Sequence, residues 1–331
     1  MERFALAAAV VLGFALTAAL CSLFVPLRRV LERREQQQQP VQSEQPRPAP
    51  LRAPLWGGLC AAAGTVAAVG VGWLAACVGQ PELLGSEGRL MTRLLTALAG
   101  SLAFGAVGLA EDLARMRSPA ALGLRRDVRL LLEALAAAFV LLLLQAAGCL
   151  PRGLDVPGAG YVLLGSAVPF LWAVLMVALA ECARIAERDE GTVCGAAFVA
   201  MLALMMAEAG LGVPGLAVLP AALAGALVAL LLWAFPPARL GVGCCGSLLA
   251  AGAIGCIPLS LDMTSLTVPL ALPFWAAGGL LAAQLLCAKR TGKPLRCWVK
   301  KHKMSPETVF LCSFALSAVG YVLALALLRW C

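Results

Sequence analysis

The sequence predicts an all-α polytopic membrane protein of about ten transmembrane helices, with both termini outside and a polar site on the cytoplasmic face. Three observations predict it. Hydrophobic residues make up 61% of the 331-residue chain and charged residues only 13%, against roughly half and a quarter in soluble domains. The excess is arranged in blocks about 20 residues long, the length a helix needs to cross ~30 Å of hydrocarbon. The blocks also lack the apolar–polar alternation that barrel strands show over ~10 residues.

The ten blocks fall at about 4–27, 55–79, 91–110, 130–150, 160–182, 192–212, 214–235, 239–260, 264–288 and 307–328. The first is too long for a signal peptide, and Arg28, Arg29, Arg33 and Arg34 follow it as a stop-transfer flank. Next comes REQQQQPVQSEQPRPAP, residues 34–50, low in complexity and rich in Gln and Pro. It predicts a flexible cytoplasmic loop. The least distinct division is 192–260, where short turns at Gly212–Pro214 and Phe235–Arg239 must separate three helices. No internal repeat and no polar stretch of domain size interrupts the blocks, so residues 1–331 read as a single membrane domain.

The placement of charge sets the orientation. Odd-numbered loops carry 21 Lys and Arg against 2 in the even-numbered loops, which puts the odd loops in the cytoplasm. This asymmetry accounts for the net charge of +8 without a nucleic-acid partner. The 13 cysteines include no CxxC pair, and the outer loops hold at most Cys149, so no disulfide framework is implied.

The unusual polar residues gather on the cytoplasmic side. Glu111 and Asp112 end the third block. Adjacent carboxylates there could hold Mg²⁺ or position a nucleophilic phosphate. They also fit a solvated helix end neutralised by Arg115 and Arg117, and spacing alone favours that. Residues 181–195, ECARIAERDEGTVCG, contain Asp189 just before Gly191, and local Glu/Arg pairing at the interface is the plainer reading. Arg93, Glu133 and Glu208 fall in or near apolar blocks; Arg93 is expected to snorkel to the outer surface and the two glutamates to lie close to helix ends, without a functional role. Residues 289–303 carry seven Lys and Arg with the lone His302, a positive-inside anchor for anionic lipid. The turn FPPARLGVGCCGS, residues 235–247, combines paired prolines, Arg239 and three glycines with vicinal Cys244 and Cys245.

Read in order, five stretches resemble the MraY-type phospho-N-acetylmuramoyl-pentapeptide transferases, polyprenyl-phosphate sugar-1-phosphate transferases of glycosyltransferase family 4. They are PLWGGL at 54–59, FGAVGLAEDLARMRSPAALGLRRDVR at 104–129, ARIAERD at 183–189, FPPARLGVGCCGS at 235–247 and KMSP at 303–306. The resemblance implies ten helices and a cytoplasmic site. It also implies a Mg²⁺-assisted reaction moving phospho-N-acetylmuramoyl-pentapeptide from its UDP carrier to undecaprenyl phosphate, in the bacterial cytoplasmic (inner) membrane. Carried over by position, Glu111, Asp112 and Asp189 would be catalytic. Asp112 and Asp189 would be metal ligands, and Arg115, Arg239, Gly243 and Gly246 would contact substrate phosphate.

The departures are specific. The family's lysine before the first motif falls at Pro50 and its threonine at Leu55. Its asparagines fall at Ala183, Ala186 and Ala234, and its second aspartate of the third motif at Thr192. The magnesium aspartate of Gly-Asp-Thr-Gly falls at Cys244, and three histidines fall at Thr308, Val309 and Phe310. A soft thiol is no like-for-like replacement for a hard oxygen ligand of Mg²⁺. Taking away ~4 kcal/mol of metal stabilisation would slow transfer roughly a thousandfold. The leading expectation is therefore a degenerate paralogue that keeps the fold, binds a polyprenyl phosphate and has little or no catalysis. The alternatives are an active transferase using Glu111, Asp112 and Asp189 for Mg²⁺ with a UDP-sugar, and a membrane scaffold or transporter.

Overall fold

The computed structural model describes residues 2–38, 56–79, 88–117, 123–151, 153–156, 160–163, 165, 167–187, 191–212, 215–235, 238–291 and 306–328. The described chain is almost wholly helical. Its helices are α1 (Glu2–Gln38), α2 (Gly57–Gly79), α3 (Gly88–Arg117), α4 (Arg126–Ala146), α5 (Ala167–Ala186), α6 (Thr192–Gly210), α7 (Val218–Ala234) and α8 (Gly243–Ser260). A 3₁₀ turn at Thr264–Leu266 leads into the short α9 (Thr267–Leu270), followed by α10 (Leu272–Thr291) and α11 (Pro306–Leu328). Each apolar block contains a helix, and the ninth is broken, bending by 62° between Thr264–Leu270 and Leu272–Ala283. Among the described residues seven helices are long and apolar enough to cross a membrane, or eight if that bent pair is one span. The protein is a multi-pass membrane protein.

Two local outcomes differ from expectation. The fifth block was expected to be helical from 160, but Gly160–Leu163 is a strand (β2) paired antiparallel with β1 (Gly153–Val156). Gly160 sits at φ +73°, a left-handed conformation that ends any helix running through it and favours the hairpin turn. The loop expected to be flexible from 34 has its first residues, 34–38, inside α1. Arg, Glu and Gln are good helix formers, and α1 simply continues past its apolar part, Phe4–Val25.

α8 is the axis of the bundle, with every one of its residues buried. Its most extensive neighbour is α3, and α2, α5 and α6 also pack on it, while α1 packs on α2 and α7. Lipid and Leu side chains are equally apolar, so helices associate in membranes through close packing of small residues. Gly108 of α3 faces the backbone of Cys244, where an added Cβ would overlap its carbonyl. Gly252 of α8 faces Ser101 and Phe104 of α3, its Cβ position 3.1 Å from the Ser101 Cα. Large apolar side chains such as Leu74, Leu131, Leu142, Phe170, Leu232 and Leu311 remain exposed, the belt expected to face lipid.

Candidate functional site

The C-terminal end of α3, the N-terminal ends of α4 and α8 and the C-terminal end of α5 meet at one end of the bundle. Gly243, at φ +72°, opens α8. The first free amides of a helix carry partial positive charge and need acceptors. Here the acceptor is Asp112 of α3. Its Oδ1 accepts from the Cys244 N–H at 3.0 Å and its Oδ2 from the Cys245 N–H at 2.9 Å. A carboxylate only 1% exposed is thus held by two charge-assisted hydrogen bonds. The α3–α8 approach at Gly108 brings it within reach.

Around this cap lies a network of ion pairs. Arg115 donates to Oε1 of Glu111 at 2.8 Å, one turn away on α3, and its other terminal nitrogen is 3.6 Å from Oε2 of Glu187. Arg129 of α4 donates Nε to Oε1 of Glu181 on α5 at 2.8 Å, and stands 3.7 Å from Glu111 and 3.9 Å from Glu133. Arg184 completes the pairing with Glu181 at 2.6 Å. The Cys244 thiol donates to Oε2 of Glu187 at 3.3 Å. Ion pairs thus join α3, α4 and the end of α5, and hydrogen bonds tie in α8.

Two of the quoted motif stretches pair directly. The Gly57 N–H donates to the Gly241 carbonyl at 3.2 Å and the Gly58 N–H to the Val242 carbonyl at 2.9 Å. Gly246 lies against Gly58, its Cβ position 3.1 Å from the Gly58 Cα. Phe310, at one of the expected histidine positions, packs edge-to-face on Phe235 with ring centroids 5.3 Å apart. It also stacks on Phe314 at 6.1 Å.

The structure therefore brings Glu111, Asp112, Arg115, Gly243 and Cys244 together, with Gly246 a turn inside α8. Arg239 lies in the preceding turn, its N–H donating to the Trp233 carbonyl at 2.8 Å. Asp189, Pro50, Leu55 and His302 lie outside the described residues. The solvated-helix-end reading of Glu111 and Asp112 is corrected: they are 2% and 1% exposed, because α8 and α4 cover the end of α3. Its neutralising partner Arg115 is in place, whereas Arg117 is exposed. Glu133, in the second turn of α4, is fully buried and lies 3.9 Å from Arg129. The local Glu181/Arg184 pairing is as read. Arg129 was not singled out, and Glu187 was noted only as one of the charged residues after the fifth block. The i,i+4 spacing of Arg129 and Glu133 was the available signal.

A hard dication such as Mg²⁺ wants a near-octahedral set of oxygens. Among the described residues no group of three or more His, Cys, Asp or Glu is placed to hold a metal ion. Both Asp112 oxygens face amides and Glu111 Oε1 and Glu187 Oε2 face arginines, which leaves Glu111 Oε2, Glu187 Oε1 and the Cys244 thiol. Among the described residues this donor set does not fit Mg²⁺. Among the described residues Glu111 Oε2, beside the cap, is buried without a hydrogen-bond partner.

An ion-paired acid cluster thus sits at one end of a bundle of packed apolar helices. The sequence model of glycosyl transferase family 4 matches residues 94–262, from α3 to the end of α8. A phospho-N-acetylmuramoyl-pentapeptide-transferase of Mycobacterium bovis (strain BCG / Pasteur 1173P2) is 28% identical over 265 residues, 72% of each chain. Namesakes from Desulforudis audaxviator and Synechococcus sp. (strain RCC307) are 32% identical over 170 residues and 30% identical over 212. Those matches cover 48% and 63% of this chain and 50% and 55% of the relatives. The chain belongs to glycosyl transferase family 4, among its MraY-type members.

Proposed function

We propose that this protein is a degenerate paralogue of the phospho-N-acetylmuramoyl-pentapeptide transferases. It keeps their fold in the bacterial cytoplasmic membrane, binds undecaprenyl phosphate or a similar polyprenyl phosphate, and has little or no transferase activity. Ten spans with both termini outside put the acid cluster on the cytoplasmic face, where a UDP-sugar would arrive. One observation carries the reading. At the position where the resemblance expects a magnesium aspartate, Cys244 presents a buried thiol that is hydrogen-bonded to Glu187. Phosphoryl transfer depends on positioning and on neutralising diphosphate charge, and a thiol supplies neither in the way a metal-bound carboxylate does.

The unpartnered Glu111 Oε2 favours the second reading, an active site rearranged around Glu111, Asp112 and Asp189. One assay decides between the two. Purified full-length protein is given UDP-N-acetylmuramoyl-pentapeptide, undecaprenyl phosphate and Mg²⁺, and UMP is measured. The proposal expects no release and saturable binding of the lipid phosphate. UMP release that disappears in Asp112→Asn would sink it. Absence of both release and lipid-phosphate binding would point instead to a scaffold or transporter.

A further inference from the structure

We infer that Arg115 stands in for a divalent cation in this chain, so that the acid cluster is closed by guanidinium and takes no Mg²⁺ of its own. The disagreement between donor set and ion is the starting point. A dication between the ends of α3, α5 and α8 would bridge carboxylates from different helices. Arg115 makes that bridge already. One nitrogen is 2.8 Å from Glu111 on its own helix, and another is 3.6 Å from Glu187 at the end of α5. Glu187 in turn receives the Cys244 thiol from α8, so the three elements are joined through Arg115 and Glu187.

The neighbouring contacts point the same way. Each glutamate of the cluster, Glu111, Glu133, Glu181 and Glu187, has a guanidinium nitrogen within 3.9 Å. Asp112 has its two amides. A guanidinium is always charged and its planar fork suits two carboxylates at once. Unlike Mg²⁺, which keeps several waters and loses them reluctantly, it needs no hydration shell inside a packed bundle. Gly123, at φ +70°, lies close beneath it, with its Cβ position 3.1 Å from the Arg115 Cγ. The arginine stem is therefore seated in a place shaped by the chain. Thiol at 244 and guanidinium at 115 form one matched arrangement: a carboxylate at 244 would draw a cation, and the cation present is covalently attached.

This inference is independent of turnover, and its test reads ion binding. Full-length protein in zwitterionic detergent is titrated with Mn²⁺ while free Mn²⁺ is followed by electron paramagnetic resonance. Unfolding temperature is measured with Mg²⁺ and with EDTA. The expected result is no saturable Mn²⁺ site up to millimolar concentration and no shift of unfolding temperature between the two conditions. The Cys244→Asp variant, with Arg115 in place, is expected to remain without an ion. Cys244→Asp combined with Arg115→Gln is expected to gain one Mn²⁺ per chain, displaced by Mg²⁺. One Mg²⁺-competed Mn²⁺ in the unaltered protein would overturn the inference, as would equal binding by the single and double variants. So would failure of the double variant to gain the ion while it retains its cooperative unfolding transition. UMP release without bound metal would overturn the proposed function and leave this inference standing, and a bound ion without turnover would do the reverse.

Discussion

The Sγ of Cys244 lies 3.3 Å from Oε2 of Glu187, joining the first turn of α8 to the end of α5. The thiol is a weak donor, and it is fully buried while Cys245 beside it is 2% exposed. Both thiols are therefore structural in the folded state. N-ethylmaleimide followed by peptide-resolved mass spectrometry should modify Cys312, which is exposed, well before Cys244 or Cys245. Those two should react only when the protein is unfolded. Fast modification of Cys244 in the folded protein would show that the end of α8 opens to solvent.

Asp112→Ala should be one of the most damaging single changes near the site. It leaves the Cys244 and Cys245 amides buried without acceptors, and each orphaned donor costs about 1–3 kcal/mol. A loss of about 2–4 kcal/mol is expected from equilibrium unfolding in mixed micelles. Asp112→Asn keeps one carbonyl acceptor and should lose about half as much. Equal losses for the two variants would mean that charge rather than hydrogen bonding holds the α8 end.

Much of this arrangement was legible in the chain. Uninterrupted apolar blocks fix helices because an unpaired backbone is intolerable in hydrocarbon. Gly57–Gly58 and Gly241–Gly246 belong to two of the quoted family-like stretches, and the two stretches meet through backbone hydrogen bonds. The burial of Glu111 and Asp112 was not legible. Spacing places a residue at a helix end but does not say which other helix covers that end. The Arg129–Glu181 pair was hidden for the same reason, since its members are 52 residues apart and a charge in a loop looks alike whether its partner is water or another helix. The hairpin at 153–163 was masked by Tyr161, Val162 and Leu163, apolar residues that continue the following block without marking where strand gives way to helix.

Gly108→Ala tests the closest approach of α3 to α8. An added methyl would overlap the Cys244 carbonyl, and backbone cannot yield as a side-chain tip can. Overpacking of this kind costs about 1–3 kcal/mol or more. It should also loosen the Asp112 cap, because the two contacts share the same stretch of α3. Gly70→Ala is the matched control, with nothing within 4 Å of its Cβ position. Its stability should be unchanged or slightly raised through better helix propensity. A Gly108 variant as stable as the Gly70 variant would contradict the observed α3–α8 packing.

Arg129 reaches acids on three helices around the site, and its removal should show it. The side chain is 8% exposed and reaches Glu181 on α5 at 2.8 Å, with Glu111 on α3 and Glu133 on α4 at 3.7 and 3.9 Å. Arg129→Met keeps the apolar stem and deletes the charge, leaving buried carboxylates short of a partner. Removing one member of a buried pair typically costs about 3–5 kcal/mol. Glu181→Gln should cost less, about 1 kcal/mol, because Glu181 is 23% exposed and the amide keeps one carbonyl acceptor for one of the two arginines. In the Arg129→Met background the same Glu181 change should cost nothing or restore stability, since it removes an acid that has lost one of its two cations. The expected coupling between the two sites is about 1–3 kcal/mol. Unfolding free energies that add within about 0.5 kcal/mol would mean the pair carries no energetic link. In that case α4 and α5 would be held together by apolar packing alone, and Arg129→Met would perturb α3 no more than α5.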